Sequence, residues 1–168
     1  KTVAHSLYPV TEKLKSELFF RLIESTATGQ VIVFTRTKHR TKRLFAQLEK
    51  RKYNAAALQG NMSQNRRTQA IDGFRKGKFD FLVATDIASR GIDIPDISHV
   101  INYDMPNTVD AYIHRIGRTG RAENLGEAIT ISIPEDESMI TRIEKILKSS
   151  IERKTVTDFN YGPLVDSD

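Results

Sequence analysis

The chain contains no cysteine. Disulfides, thiol nucleophiles and cysteine-ligated metals are therefore excluded as sources of stability or chemistry. Its four histidines, His5, His39, His99 and His114, are scattered, with no pair at ligand spacing, so no metal site is expected. No apolar run approaches the ~20 residues that cross a bilayer, and no secretory leader is recognisable at the start of the sequence. A cytoplasmic protein with no membrane partner is the expectation.

Two further absences concern nucleotide chemistry. A self-sufficient nucleotide hydrolase needs a phosphate loop of the form G-x-x-x-x-G-K-[ST]. The nearest stretch, "GFRKGKF" at 73–79, is one residue short and puts Phe79 where the metal-binding hydroxyl belongs. It also precedes a strand-like run, the reverse of what that loop requires. "ISIPEDES" at 131–138 imitates the strand-plus-acid element that holds magnesium, but Pro134 separates strand from acids. Neither can serve.

What is present begins with charge. The chain has 26 Lys and Arg against 21 Asp and Glu, a net charge of +5, which leans towards a polyanionic partner. Its 168 residues suit one domain with a substantial core. Short, continuous apolar runs at 31–35, 55–59, 81–85, 99–103 and 127–133 read as buried strands. Between them, helical stripes recur through Leu14, Leu18 and Leu22, then Leu44, Phe45 and Leu48, then Ala70, Ile71 and Phe74, then from about Thr108, and last through Ile140, Ile143, Ile146 and Leu147. Strands alternating with helices predict an α/β domain over 1–152, with a parallel sheet covered on both faces. Residues 153–168 read as a polar tail or the start of a linker.

In such sheets, ligands sit outside the carboxyl ends of the strands. Three polar stretches fall there: "TRTK" from Thr35, "TDIASRGIDIP" from Thr85, and "YIHRIGRTGRAE" at 112–123. The last spaces Arg115, Arg118 and Arg121 three apart, with Gly117 and Gly120 between them. Guanidinium groups offer planar forks that match phosphate oxygens, and the glycines let the backbone approach a ligand. The fit is to a triphosphate whose transferring group gathers charge, where an arginine finger contributes about 10³ to 10⁵ in rate. The plainer alternative is that the arginines pair with acids such as Asp110 or Glu123.

In the second stretch, Thr85 and Asp86 leave a strand end where they could meet a sugar–phosphate chain. Gly91 permits close backbone approach, and Asp93 could accept from ribose hydroxyls. Equally, Asp86 could cap a helix and Asp93 lie in a turn before Pro95. Arg67 follows Ser63, which reads as a helix cap, and a helix start with an arginine suits a phosphate. The run 36–52 carries eight Lys or Arg against one Glu; Lys38 and Lys42 could face phosphates or simply be solvated.

Four stretches in this order and spacing, "VFTRTK", "GNMSQNRR", "VATDIASRGIDIP" and "YIHRIGRTGR", resemble the second RecA-like domain of DEAD-box RNA helicases. "TRTKH" and the opening "YPV....K" are most similar to the bacterial RhlE-like subgroup. The resemblance covers residues 3–150 and implies a RecA-like three-layer αβα fold. It implies that Arg118 and Arg121 are catalytic fingers on the ATP phosphates, and that Gly91 and Asp93 also bind ATP. Thr37, Gly60, Arg67, Thr85 and Asp86 would hold RNA, and His114 and Arg115 would couple to the N-terminal RecA-like domain. That absent domain would supply the phosphate loop, the catalytic base and most of the Mg2+ ligation. The isolated chain would then be an inactive monomer. A standalone RNA-binding or scaffold module is the rival reading, which would need neither spaced arginines nor Asp93; a DNA translocase is a third.

Overall fold

Each continuous apolar run becomes a strand whose side chains are buried on both faces, because helices cover the sheet from either side. A computed structural model describes residues 4–26, 29–89, 97–116 and 126–163. In chain order the elements are β1 (Ala4–Pro9), α1 (Lys15–Thr26), β2 (Val31–Phe34), α2 (Lys38–Lys50), β3 (Ala55–Leu58), α3 (Gln64–Arg75) and β4 (Phe81–Ala84). Then follow α4 (Asp86–Ser89), β5 (His99–Asn102), α5 (Val109–Ile116), β6 (Glu127–Ser132), α6 (Glu137–Leu147) and β7 (Glu152–Arg153). The described residues form one seven-stranded sheet in the order β3-β4-β2-β5-β6-β1-β7, parallel at every pairing.

Strand side chains alternate in direction, and the core divides accordingly. Val31, Val33, Phe81, Val83, Ile101, Ile129 and Ile131 pack on one face against Leu18, Phe19, Leu22 and Ile23 of α1 and Leu44 and Leu48 of α2. On the other face Ile32, Phe34, Leu82, Ala84 and Val100 meet Ala70 and Phe74 of α3. Further along, Leu7 packs with Tyr112 of α5 and Ile140 and Ile143 of α6. Burying each such large side chain contributes about 1.5–3 kcal/mol, so the three layers are held mainly by this sandwich.

Two strands have no apolar signature in the sequence. β1 reads AHSLYP, without alternation, yet it lies between β6, from Ala4↔Glu127 to Pro9↔Ser132, and β7, at Ser6↔Glu152 and Leu7↔Arg153. Backbone pairing at the far side of the sheet outweighs its weak propensity. Beyond β7, Val156, Phe159 and Tyr161 pack against the larger core cluster, and the Arg21 guanidinium donates to the Thr157 carbonyl at 3.3 Å. Three apolar side chains thus anchor the first part of the stretch read as a polar tail.

The registers level the sheet's carboxyl edge. Phe34 lies opposite both Ala84 and Asn102, Leu58 opposite Ala84, and Asn102 opposite Thr130. The loops after β3, β4, β2 and β5 therefore leave side by side.

Candidate functional site

The helices that follow β2, β3 and β4 begin on this edge, and each takes a first-turn hydrogen bond from a short hydroxyl side chain. Thr37 caps α2, its Oγ1 accepting from the Arg40 amide at 3.2 Å. Ser63 caps α3 by accepting from the Arg66 amide at 3.2 Å. Thr85 Oγ1 accepts from the Ala88 amide at 3.3 Å at the start of α4. The capping role considered for Asp86 thus falls to Thr85, and Asp86 is the first helical residue.

Asp86 uses its carboxylate differently. Arg115, from α5, donates through Nε to Oδ1 at 2.7 Å and through Nη2 to Oδ2 at 2.5 Å. Its Nη1 donates to Asn102 Oδ1 at 2.8 Å, and Asn102 Nδ2 donates to Thr130 Oγ1 at 3.0 Å. The guanidinium lies 4.5 Å from the centre of the Phe34 ring and is 3% exposed. One of the three spaced arginines is therefore paired with an acid inside the domain, the acid being neither Asp110 nor Glu123. The coupling to another domain expected of Arg115 meets a guanidinium already turned inward. His114, on the same helix, is exposed.

Arg67, half-buried one turn into α3, donates from Nη1 to the carbonyl of Ala88 at the end of α4. Gly60 sits in the exposed turn after β3, with open space where a side chain would project. Thr37, Gly60, Arg67, Thr85 and Asp86 thus share the carboxyl edge of three adjacent strands, β3, β4 and β2. Lys38 and Lys42 are exposed on α2. Gly91, Asp93, Arg118 and Arg121 lie outside the described residues.

A second polar cluster on this edge has no counterpart among the candidates read from the sequence. Asp104, just beyond β5 and 1% exposed, accepts from Lys15 Nζ at 2.8 Å, Arg40 Nε at 2.8 Å, Arg40 Nη2 at 2.6 Å and the Arg36 amide at 2.9 Å. Burial alone would raise its carboxyl. The hydrogen bonds from Arg40 and Lys15, with the Lys15 charge, hold it below the ordinary carboxylate range. Beside it, burial first and the Asp104 charge second push the Tyr103 hydroxyl up to about 12. The cluster fixes the loop carrying Arg36 and Thr37 to the end of β5. The only sequence signals were Lys15 within "YPV....K" and Arg40 within the basic run, neither of which points to Asp104.

Among the described residues no group of three His, Asp or Glu side chains is placed to hold a metal ion, and no helix is long and apolar enough to cross a membrane.

With this geometry in hand, residues 12–123 match the family model of the helicase conserved C-terminal domain. A crystal structure of the E. coli DEAD-box protein SrmB, bound to regulator of ribonuclease activity A, superposes with a TM-score of 0.91 at 34% identity, over 100% of this chain and 99% of that one. The chain belongs to the DEAD-box helicase family, as its C-terminal domain. This helicase domain is also similar to the C-terminal domain of the DEAD-box protein Dbp5, with a TM-score of 0.85 and 31% identity over 93% of this chain and 92% of that one. The DEAD-box ATP-dependent RNA helicase RhpA of Helicobacter pylori is 40% identical over 163 residues, 97% of this chain. That alignment takes in 33% of RhpA, so the helicase domain spans about a third of the curated relative's length. Its parallel sheet between two helical layers is the RecA-like α/β fold.

Proposed function

We propose that this domain is the second of two RecA-like lobes of an ATP-dependent RNA helicase, and that it completes a nucleotide pocket built mainly by the first. The observation that carries the reading is the shared edge. Thr37, Gly60, Arg67, Thr85 and Asp86 lie along the ends of three adjacent strands, and Asp86 is clamped by Arg115 of the helix that leads into Arg118 and Arg121. Phosphates of an RNA strand along Thr37, Gly60, Arg67 and Thr85 would accept from hydroxyls, the Arg67 guanidinium and backbone amides. Such contacts carry little base specificity.

Arg118 and Arg121 would place permanent positive charge against the ATP phosphates as the lobes close, and Gly91 and Asp93 would meet the nucleotide beside them. Mg2+ would be held mainly by acids of the first lobe. Asp86 and Arg115 act as positioning residues: their bond ties the start of α4 on the RNA edge to α5 on the nucleotide side. His114, exposed on α5, is the member of that pair left to face the first lobe. Local duplex opening would follow from closure around one bent strand, in a cytoplasmic enzyme whose isolated second lobe is a monomer.

The test is hydrolysis. The 168-residue chain alone should show negligible ATPase activity with or without RNA. In the two-lobe protein Arg118→Ala should lower kcat by about a hundredfold or more while the melting temperature stays put. Robust turnover by the lone chain, or unchanged turnover in the variant, defeats the assignment.

A further inference from the structure

A groove of about 790 Å³ lies along the outer edge of the sheet, away from the Asp86–Arg115 pair. Its floor is β3, which pairs with β4 on one side and with no strand on the other among the described residues. Asn54 and its alternates turn their carbonyls to β4, as the bonds from the Asp80 and Phe81 amides to the Asn54 carbonyl show. By the alternation of a parallel ladder, Ala55 and Ala57 direct their backbone groups outward. The strand reads AAAL, so its first three side chains are methyl groups.

An unpaired sheet edge is a template for another strand. The walls suit one. Phe45 stands on the α2 side, and Met62 and Phe79 on the α3 side. An extended chain added to β3 would set alternate side chains against Phe45 and against Met62 and Phe79. Charge selects the chain. Arg66, Lys76 and Lys78 line the groove as exposed cations, whereas Asp72, the acid among the lining residues, is engaged by Arg75 at 3.7 Å.

We propose that this groove binds an extended acidic peptide segment of a partner protein, which pairs with β3 as an additional strand. A second copy of this chain is disfavoured, because β3-to-β3 pairing would bring two sets of the same cations together. RNA is disfavoured because phosphates accept hydrogen bonds but cannot donate to the outward carbonyls of Ala55 and Ala57.

The probe is an N-acetylated, C-amidated decapeptide alternating valine with glutamate, compared with its valine–lysine counterpart and an oligouridine decamer. Hydrogen exchange on the 168-residue chain should show the Ala55 and Ala57 amides slowed by about tenfold or more by the glutamate peptide and by neither control. Ala57→Pro deletes an outward N–H, which an edge strand tolerates, and should abolish that protection. Lys76→Glu with Lys78→Glu should weaken peptide affinity by about tenfold; this charge variant carries the test alone if the proline unfolds the strand. Absence of protection at Ala55 and Ala57 overturns the proposal, as does equal protection by the lysine peptide or by oligouridine.

Discussion

Arg115 and Asp86, 29 residues apart, meet fork to fork at 2.7 and 2.5 Å, with Arg115 buried and Asp86 at the start of a four-residue helix. A helix that short cannot hold itself in water. Its position is set from outside, by Thr85 at its first turn, by Arg115 on its first side chain and by Arg67 on the Ala88 carbonyl.

Removing either partner should therefore disturb more than one bond. Asp86→Ala leaves a buried guanidinium short of its main acceptor and should cost roughly 1–3 kcal/mol in urea unfolding. Arg115→Lys should recover little of the function of Arg115, since an ammonium cannot span both oxygens of Asp86 and the Asn102 carbonyl oxygen. The double variant should be less destabilised than the sum of the singles. Strict additivity would show that the pair contributes no coupling.

Acid should weaken the domain in two stages. His5 and His99 have pKa values lowered by burial, so the unfolded chain takes up their protons first and stability begins to fall below about pH 6.5. Asp104 has a lowered pKa, so its contribution is complete above the unfolded value of about 3.9 and disappears as pH falls through the folded one. Nearby Asp136, raised by burial, acts in the opposite sense and softens the second stage. Asp104→Asn should cost about 3–5 kcal/mol at neutral pH, because buried Lys15 loses its charged partner, and should flatten the acid stage. A variant as acid-sensitive as the parent would move that stage to other carboxylates.

The sequence was most legible where one element decides its own structure. The five apolar strands, the helices and the Ser63 cap follow from local pattern, and the structure has them, although Ile146 of the last stripe is exposed on α6. Structure made by distant partners was not legible. β1 is a strand because β6 and β7 flank it. Asp104 matters because Lys15 and Arg40, 89 and 64 residues away, close on it. Arg40 sat in a basic run that could face phosphates or simply be solvated, and only its place in the first turn of α2 brings it to Asp104 at the β5 end. The edge loops were placed by topology alone, from the rule that ligands meet strand carboxyl ends.

Two glycines should differ in their response to alanine. At Gly73, in α3, an added Cβ would come within 2.6 and 2.9 Å of the Phe79 ring. The half-buried ring packs against the α3-side core, so the overlap should outweigh the gain of about 1 kcal/mol in helix propensity and leave a net loss of about 1–2 kcal/mol. At Gly60 nothing stands within 4 Å, and Gly60→Ala should leave stability within about 0.5 kcal/mol of the parent. Thermal unfolding of both variants checks the pair. A neutral Gly73→Ala would mean that Phe79 moves aside freely.

Arg67 separates a specific RNA edge from diffuse surface charge. Its guanidinium is half-buried and tied to the Ala88 carbonyl, so its position is fixed before any ligand arrives and little side-chain entropy remains to be lost on binding. Lys42, exposed on α2, is a mobile ammonium. In the two-lobe protein, Arg67→Ala should weaken single-stranded RNA binding and reduce the slope of log affinity against log salt by about 0.7, the value for one lost phosphate contact. Arg67→Lys should keep the slope while losing part of the affinity, because an ammonium retains the charge but not the fork. Lys42→Ala should leave the slope alone. If Arg67 and Lys42 lower it equally, the RNA is held by the net field of the basic surface, and the level edge of β3, β4 and β2 has no special part in binding it.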